Sequence, residues 1–87
     1  MYLHVGNGIN IRSKNIIGIF DTDNATVSIT TRKFLREYEN AGKVSSAVYE
    51  IPKSFVLYED GEGGSEVCFS QLSSASLGGR IKNREFE

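Results

Sequence analysis

Thr30-Thr31-Arg32-Lys33-Phe34-Leu35-Arg36-Glu37-Tyr38-Glu39-Asn40-Ala41-Gly42 is the segment of this chain with a clear helical period. Phe34, Leu35, Tyr38 and Ala41 recur at i, i+1, i+4 and i+7, which gathers them on one face. Arg32, Arg36 and Glu39 fall on the opposite, wet face. Thr30 or Thr31 is expected to cap the start, because a hydroxyl there can accept a backbone N–H that lacks an intrahelical partner. Gly42 is expected to end the helix in the left-handed conformation.

Strand signals flank this helix on both sides. Tyr2–Val5 reads as a short strand, and Gly6-Asn7-Gly8 as a tight turn. Ile9 and Ile11 alternate with Asn10 and Arg12, the period of a half-buried strand. Ser13-Lys14-Asn15 makes a second turn. Ile16–Phe20 is nearly continuous apolar sequence, as in a central strand. Asp21-Thr22-Asp23-Asn24 reads as a loop, and Ala25–Ile29 as extended. After the helix come Val44–Tyr49, Ser54–Glu59 and Ser65–Leu72, with Pro52 in a connection, where its missing N–H does least harm. Asp60-Gly61-Glu62-Gly63-Gly64 reads as a mobile hairpin loop. Ser73–Arg84 is Ser/Gly-rich and then basic. It predicts at most one helical turn and a loose segment over about 73–87. Strands, then a helix, then strands indicate an α+β fold with an antiparallel sheet and one main helix.

The 87 residues allow one small domain, 1–87. Hydrophobic residues at 39% and charged residues at 24% indicate a globular rather than a disordered chain. No apolar run approaches the roughly 18 residues of a membrane span. Met1-Tyr2-Leu3-His4 does not resemble a secretory leader. One cysteine, Cys68, excludes an internal disulfide framework and points to a reducing cytoplasm. The net charge of −1 excludes a globally basic nucleic-acid binder, but the charges come in blocks. Arg32, Lys33, Arg36 and Lys43 dominate the middle. Glu50, Glu59, Asp60, Glu62 and Glu66 follow, opposed there by Lys53. One arrangement consistent with this lines up the basic segments of several copies on one face and turns the acidic segments elsewhere.

Enzyme chemistry finds no support in the motifs. His4 is the sole histidine, and Cys68 sits between Val67 and Phe69 in an apolar strand, where a small buried hydrophobe is the usual role. One His and one Cys do not make a zinc tetrad. Asp21-Thr22-Asp23-Asn24 lacks the later Gly and Glu of a calcium loop. Gly6-Asn7-Gly8 lacks the third glycine of a dinucleotide fingerprint, since that position is Ile11. No catalytic residue, metal, cofactor or small-molecule substrate is therefore expected. One helix covers one face of a sheet, so about six strands leave apolar area and open edges over. Copies packing on one another would relieve both. A strand aromatic such as Tyr49 or Phe55 is the expected interface side chain.

Leu3-His4-Val5-Gly6-Asn7-Gly8, Ile16-Ile17-Gly18-Ile19-Phe20 and Thr30-Thr31-Arg32-Lys33-Phe34-Leu35 carry a resemblance. So do Ala47-Val48-Tyr49, Lys53-Ser54-Phe55-Val56-Leu57 and Cys68-Phe69-Ser70-Gln71-Leu72. Over Tyr2 to about Ile81 the chain resembles the RemA/RemB family of bacterial extracellular-matrix regulators, and the RemB-like branch most. The resemblance implies a cytosolic regulator of biofilm-matrix genes. For the RemA-like branch it implies a ring-shaped homo-oligomer that binds DNA through repeated arginines. One such arginine position falls here on Asn15, beside Lys14. An adjacent arginine pair falls on Ile51 and Pro52, with Lys53 the nearest cation. The DNA-contacting set expected in this chain is thus Arg12, Lys14, Asn15, Arg32 and Lys53. The expected function is an oligomeric regulator that binds DNA phosphates. The alternative is a structural or interaction module that oligomerises without touching DNA.

Overall fold

A computed structural model gives the fold and describes residues 2–25, 28–46 and 51–85. Strand β1 (Tyr2–Gly6) pairs antiparallel with β2 (Ile9–Arg12). Asn7 and Gly8 close this hairpin with φ of 49° and 74°, a left-handed pair that Asn-Gly adopts at little cost. A 3-10 turn (Ser13–Asn15) leads into β3 (Ile16–Asp21), which is followed by α1 (Thr22–Ala25) and α2 (Ile29–Asn40). Then come β4 (Val44–Ser46), β5 (Ser54–Glu59), β6 (Ser65–Ser70) and α3 (Ser74–Glu85). The second sheet has the order β3-β5-β6-β4. Its β3–β5 and β5–β6 pairs are antiparallel, while β4 runs parallel to β6. The fold is therefore α+β with mainly antiparallel sheets.

Alternation along β5 and β6 gives this sheet two different faces. Val56 and Cys68, register partners, lie on one face, fully buried with Leu3, Val5 and Ile11 of the β1–β2 hairpin and Leu77 of α3. One serine ties the hairpin to this sheet, and a second ties β5 to the segment after β6. Ser70 Oγ donates to the Val5 carbonyl at 2.7 Å, and Ser54 Oγ to the Leu72 carbonyl at 2.6 Å. The other face carries a row of aromatic rings. Phe20 stacks on Phe55 with centroids 5.1 Å apart, and Phe55 meets Phe69 edge-on at 5.8 Å. Helix α2 lies against this side through half-buried Phe34, Leu35 and Tyr38, and Tyr38 Oη meets Ser65 Oγ at 2.5 Å.

Several expectations are corrected. The segment after Ser73 is a twelve-residue helix, not one turn and a loose tail. Ser73 Oγ accepts the Ser76 N–H at 3.1 Å, capping the start, and the buried Leu77 anchors it. The fold thus has a second long helix beside α2. Asp21-Thr22-Asp23-Asn24 is not a loop: Asp21 ends β3 and accepts the Asn24 N–H at 3.2 Å, turning the following residues into α1. Within the segment expected to be extended, Ser28 has extended backbone (φ −82°, ψ 130°), but Ala25 ends α1 and Ile29 begins α2, and Thr30 and Thr31 do not cap α2. Ser28 is its N-cap, and Ser28 Oγ accepts from Thr31 N–H at 3.4 Å. Thr26 and Val27 lie outside the described residues, as do Ala47–Glu50, and with them Tyr49 and the second half of Val44–Tyr49. Phe55 is buried within its own chain, so it is not available as an interface residue. Gly42 ends α2 as expected, with φ 72°. Lys43 N–H reaches the Tyr38 carbonyl at 2.9 Å and Gly42 N–H the Glu39 carbonyl at 3.0 Å, a complete Schellman motif.

Replacing Gly42 by Ala forces a Cβ into left-handed backbone. The expected loss is about 1 kcal/mol, read as a lower urea midpoint with an unchanged m-value.

Candidate nucleic-acid interface

Along α2, Ile29, Arg32, Lys33, Arg36, Glu37 and Asn40 line one continuous shallow groove. Their spacing of 3, 1, 3, 1 and 3 residues is that of a single helix face. It points away from Phe34, Leu35 and Tyr38, the face that packs on the sheet. Arg32, Lys33 and Arg36 are all exposed. Glu37 is the one acid on the stripe, which leaves it two positive charges in excess. The helix holds these cations rigidly in register, since it is capped at Ser28 and closed at Gly42.

The five residues expected from the sequence do not come together. Arg32 belongs to the α2 stripe. Arg12 and Asn15 instead line a cleft with Tyr58, Glu59, Asp60, Glu62 and Glu66, so Arg12 sits in an acidic setting that repels phosphate. Lys14 is exposed on the 3-10 turn between them. Lys53 is exposed at the far end of β5, where its N–H donates to the Ser70 carbonyl and its carbonyl accepts from Thr22 N–H. Four β5 residues, 54–57, lie between Lys53 and Tyr58, so five residue steps, roughly 17 Å at 3.4 Å per residue, separate the two. Lys33 and Arg36 were absent from the expected set, although the four-residue spacing of Arg32 and Arg36 already put two of the cations on one face.

The acidic cleft is organised by its own hydrogen bonds. Asp60 Oδ1 accepts the Glu62 N–H at 2.7 Å and the Gly64 N–H at 3.1 Å, which closes the β5–β6 loop. These backbone donors, first Glu62 and then Gly64, with Lys43 nearby, hold the Asp60 carboxyl below its ordinary range. Tyr58 Oη donates to Glu66 Oε2 at 2.9 Å. Burial, reinforced by that carboxylate, pushes the Tyr58 phenol up to about 12. The phenol thus stays protonated in the fold at pH values where the unfolded chain ionises. Stability is level below about pH 10, the ordinary tyrosine value, and falls as pH rises toward about 12. Tyr58→Phe is expected to flatten that alkaline slope, and denaturant titrations between these pH values measure it. His4 stands on the outer face of the hairpin, its Nδ1 3.1 Å from Asn10 Oδ1, while Cys68 is fully buried in the sheet.

Fold and surface together define a small α+β protein that presents a basic helix face and, apart from it, an acidic loop end. The chain is 32% identical over 77 residues to extracellular matrix regulatory protein B of Bacillus subtilis, covering 88% of this chain and 85% of that protein. It therefore belongs to the RemB-like family of extracellular matrix regulatory proteins. No protein-family model matches the chain. Among the described residues, no helix is long and apolar enough to cross a membrane.

Proposed function

We propose that this chain is a non-enzymatic, cytoplasmic regulator of extracellular-matrix gene expression that works on duplex DNA as a homo-oligomer. The relative's name supports the regulatory role. The observation that carries the DNA reading is the exposed Arg32, Lys33 and Arg36 on the outer face of a rigid helix. Three cations per chain release few counterions, so one copy binds weakly. An oligomer repeats the stripe and makes the second engagement intramolecular, which multiplies affinity without new contacts. Of the cations expected from the sequence, Arg32 keeps its role in this reading. Lys14 and Lys53 are left to peripheral contacts.

Fluorescence anisotropy of a labelled duplex against salt tests this. The expected slope of log K against log salt is roughly −0.9 for each phosphate neutralised, hence about −3 for every engaged copy. No binding at about 50 mM salt, where such contacts are strong, would leave the reading of a regulator that acts through protein contacts alone.

A further inference from the structure

Helix α2 is not chemically uniform along its length. Arg32, Lys33 and Arg36 lie in its first two turns and Glu37 and Glu39 in its last, all exposed. No acid stands in the first turn and no base in the last. The next cation, Lys43, lies past Gly42 near Asp60. This order is the reverse of the one the backbone dipole favours. It costs the helix some stability, so helix formation does not account for it. Ile29 opens the stripe and is 75% exposed. An apolar side chain gains nothing from a phosphate, so attraction to the DNA backbone does not account for Ile29 either. Ile29, Arg32, Lys33 and Arg36 follow one another at steps of 3, 1 and 3 residues. That is the spacing at which the third helix of a homeodomain presents its base-contacting side chains to the major groove.

We propose that α2 enters the major groove of duplex DNA by its first two turns and sets Ile29 against the C5-methyl group of a thymine. The inference rests on the DNA reading above and adds base choice to it. A helix about 10–12 Å across fits a groove about 12 Å wide. At about 3.6 residues per turn, Arg32 and Lys33 fall on opposite sides of the line from Ile29 to Arg36. They face the two phosphate walls while Ile29 faces the floor. Phosphate contacts fix position and carry no sequence information. Ile29 is therefore the residue that discriminates, because the thymine methyl is the apolar group that the major groove displays. Glu37 and Glu39 repel phosphate and tilt the last turn of α2 out of the groove. The minor groove shows the same acceptors for A·T and T·A and no methyl, so an isoleucine there would not tell thymine from uracil.

Anisotropy of the full chain with two matched duplexes tests it. One is a labelled A·T-rich duplex. The other is its twin with every thymine replaced by uracil, which removes the methyl groups and keeps charge and pairing. The parent is expected to bind the uracil twin about fourfold more weakly for each engaged copy, the scale of one methyl-sized group left unburied. Ile29→Ala is expected to bind both duplexes alike. Its salt slope should match the parent's, because no phosphate contact is lost. Its circular dichroism spectrum should be unchanged, because the side chain is exposed. A parent that binds the twins equally overturns the proposal and leaves the DNA reading standing. An Ile29→Ala variant that keeps the parent's preference for thymine places the methyl contact elsewhere and overturns it too. A parent that binds neither duplex at about 50 mM salt, where phosphate contacts are strong, overturns both readings.

Discussion

Leu77→Ala is expected to destabilise the fold by about 2–5 kcal/mol, the range for emptying a well-packed leucine site. Leu77 is fully buried, and it brings α3 onto Leu3, Val5 and Ile11. The site has little means of collapse, because Ser70 holds the hairpin to the sheet at the Val5 carbonyl and Arg80 bonds the His4 carbonyl at 3.0 Å. For a small domain total stability is itself only about 5–15 kcal/mol. Urea unfolding followed by circular dichroism measures the loss. A change below about 0.5 kcal/mol, the scale of an ordinary surface substitution, would mean that α3 does not complete the core.

Reversing the stripe, Arg32→Glu with Lys33→Glu and Arg36→Glu, is expected to abolish duplex binding. The stripe then changes from two positive charges in excess to four negative, counting Glu37, and repels every phosphate it met. The milder Arg32→Ala, Lys33→Ala, Arg36→Ala variant separates repulsion from lost attraction. It should bind more weakly at every salt concentration and flatten the salt slope by about 3 per engaged copy. All three side chains are exposed, so thermal stability should change little. Equal binding by parent and reversed variant would remove α2 from the interface. Lys14→Ala with Lys53→Ala serves as the control and should alter binding less than the stripe variants do.

How much of this was legible in the sequence varies from element to element. Alternation at Ile9 and Ile11, the run Ile16–Phe20 and the segment Ser54–Glu59 marked strands, because burial on one or both faces leaves a local pattern. The face of α2 was legible for the same reason. Helix α3 was hidden by Gly78 and Gly79, each of which costs a helix interior about 1 kcal/mol. Its signals were present nonetheless: a capping Ser73, and Leu77 and Ile81 four residues apart. Tertiary burial of Leu77 outweighs the poor propensity. The start of α2 was misplaced because Ser28, Thr30 and Thr31 all carry a hydroxyl that can cap, and no local pattern ranks them. The site was harder to read. Arg12 was expected with Lys14 in one DNA-contacting set, whereas the placement of the β1–β2 hairpin against the second sheet puts Arg12 in a cleft with Glu59 and Glu66. That neighbourhood depends on residues about fifty positions apart, and no local pattern reports it. The parallel pairing of β4 with β6 is likewise set by packing across the sheet.

The union of β1 with α3 also has a temporal side. Val5 is made early and Leu77 among the last of the described residues, yet they share one core. On the ribosome the β1–β2 hairpin therefore waits, its apolar face uncovered, until Leu77, more than sixty residues later, has emerged. At about 5–20 residues per second that exposure lasts several seconds. During it Leu3, Val5 and Ile11 are open to chaperones and to the same segment of neighbouring nascent chains. A polysome translating this message would hold many such hairpins close together, so the order of synthesis, as well as the finished surface, bears on which copies first meet.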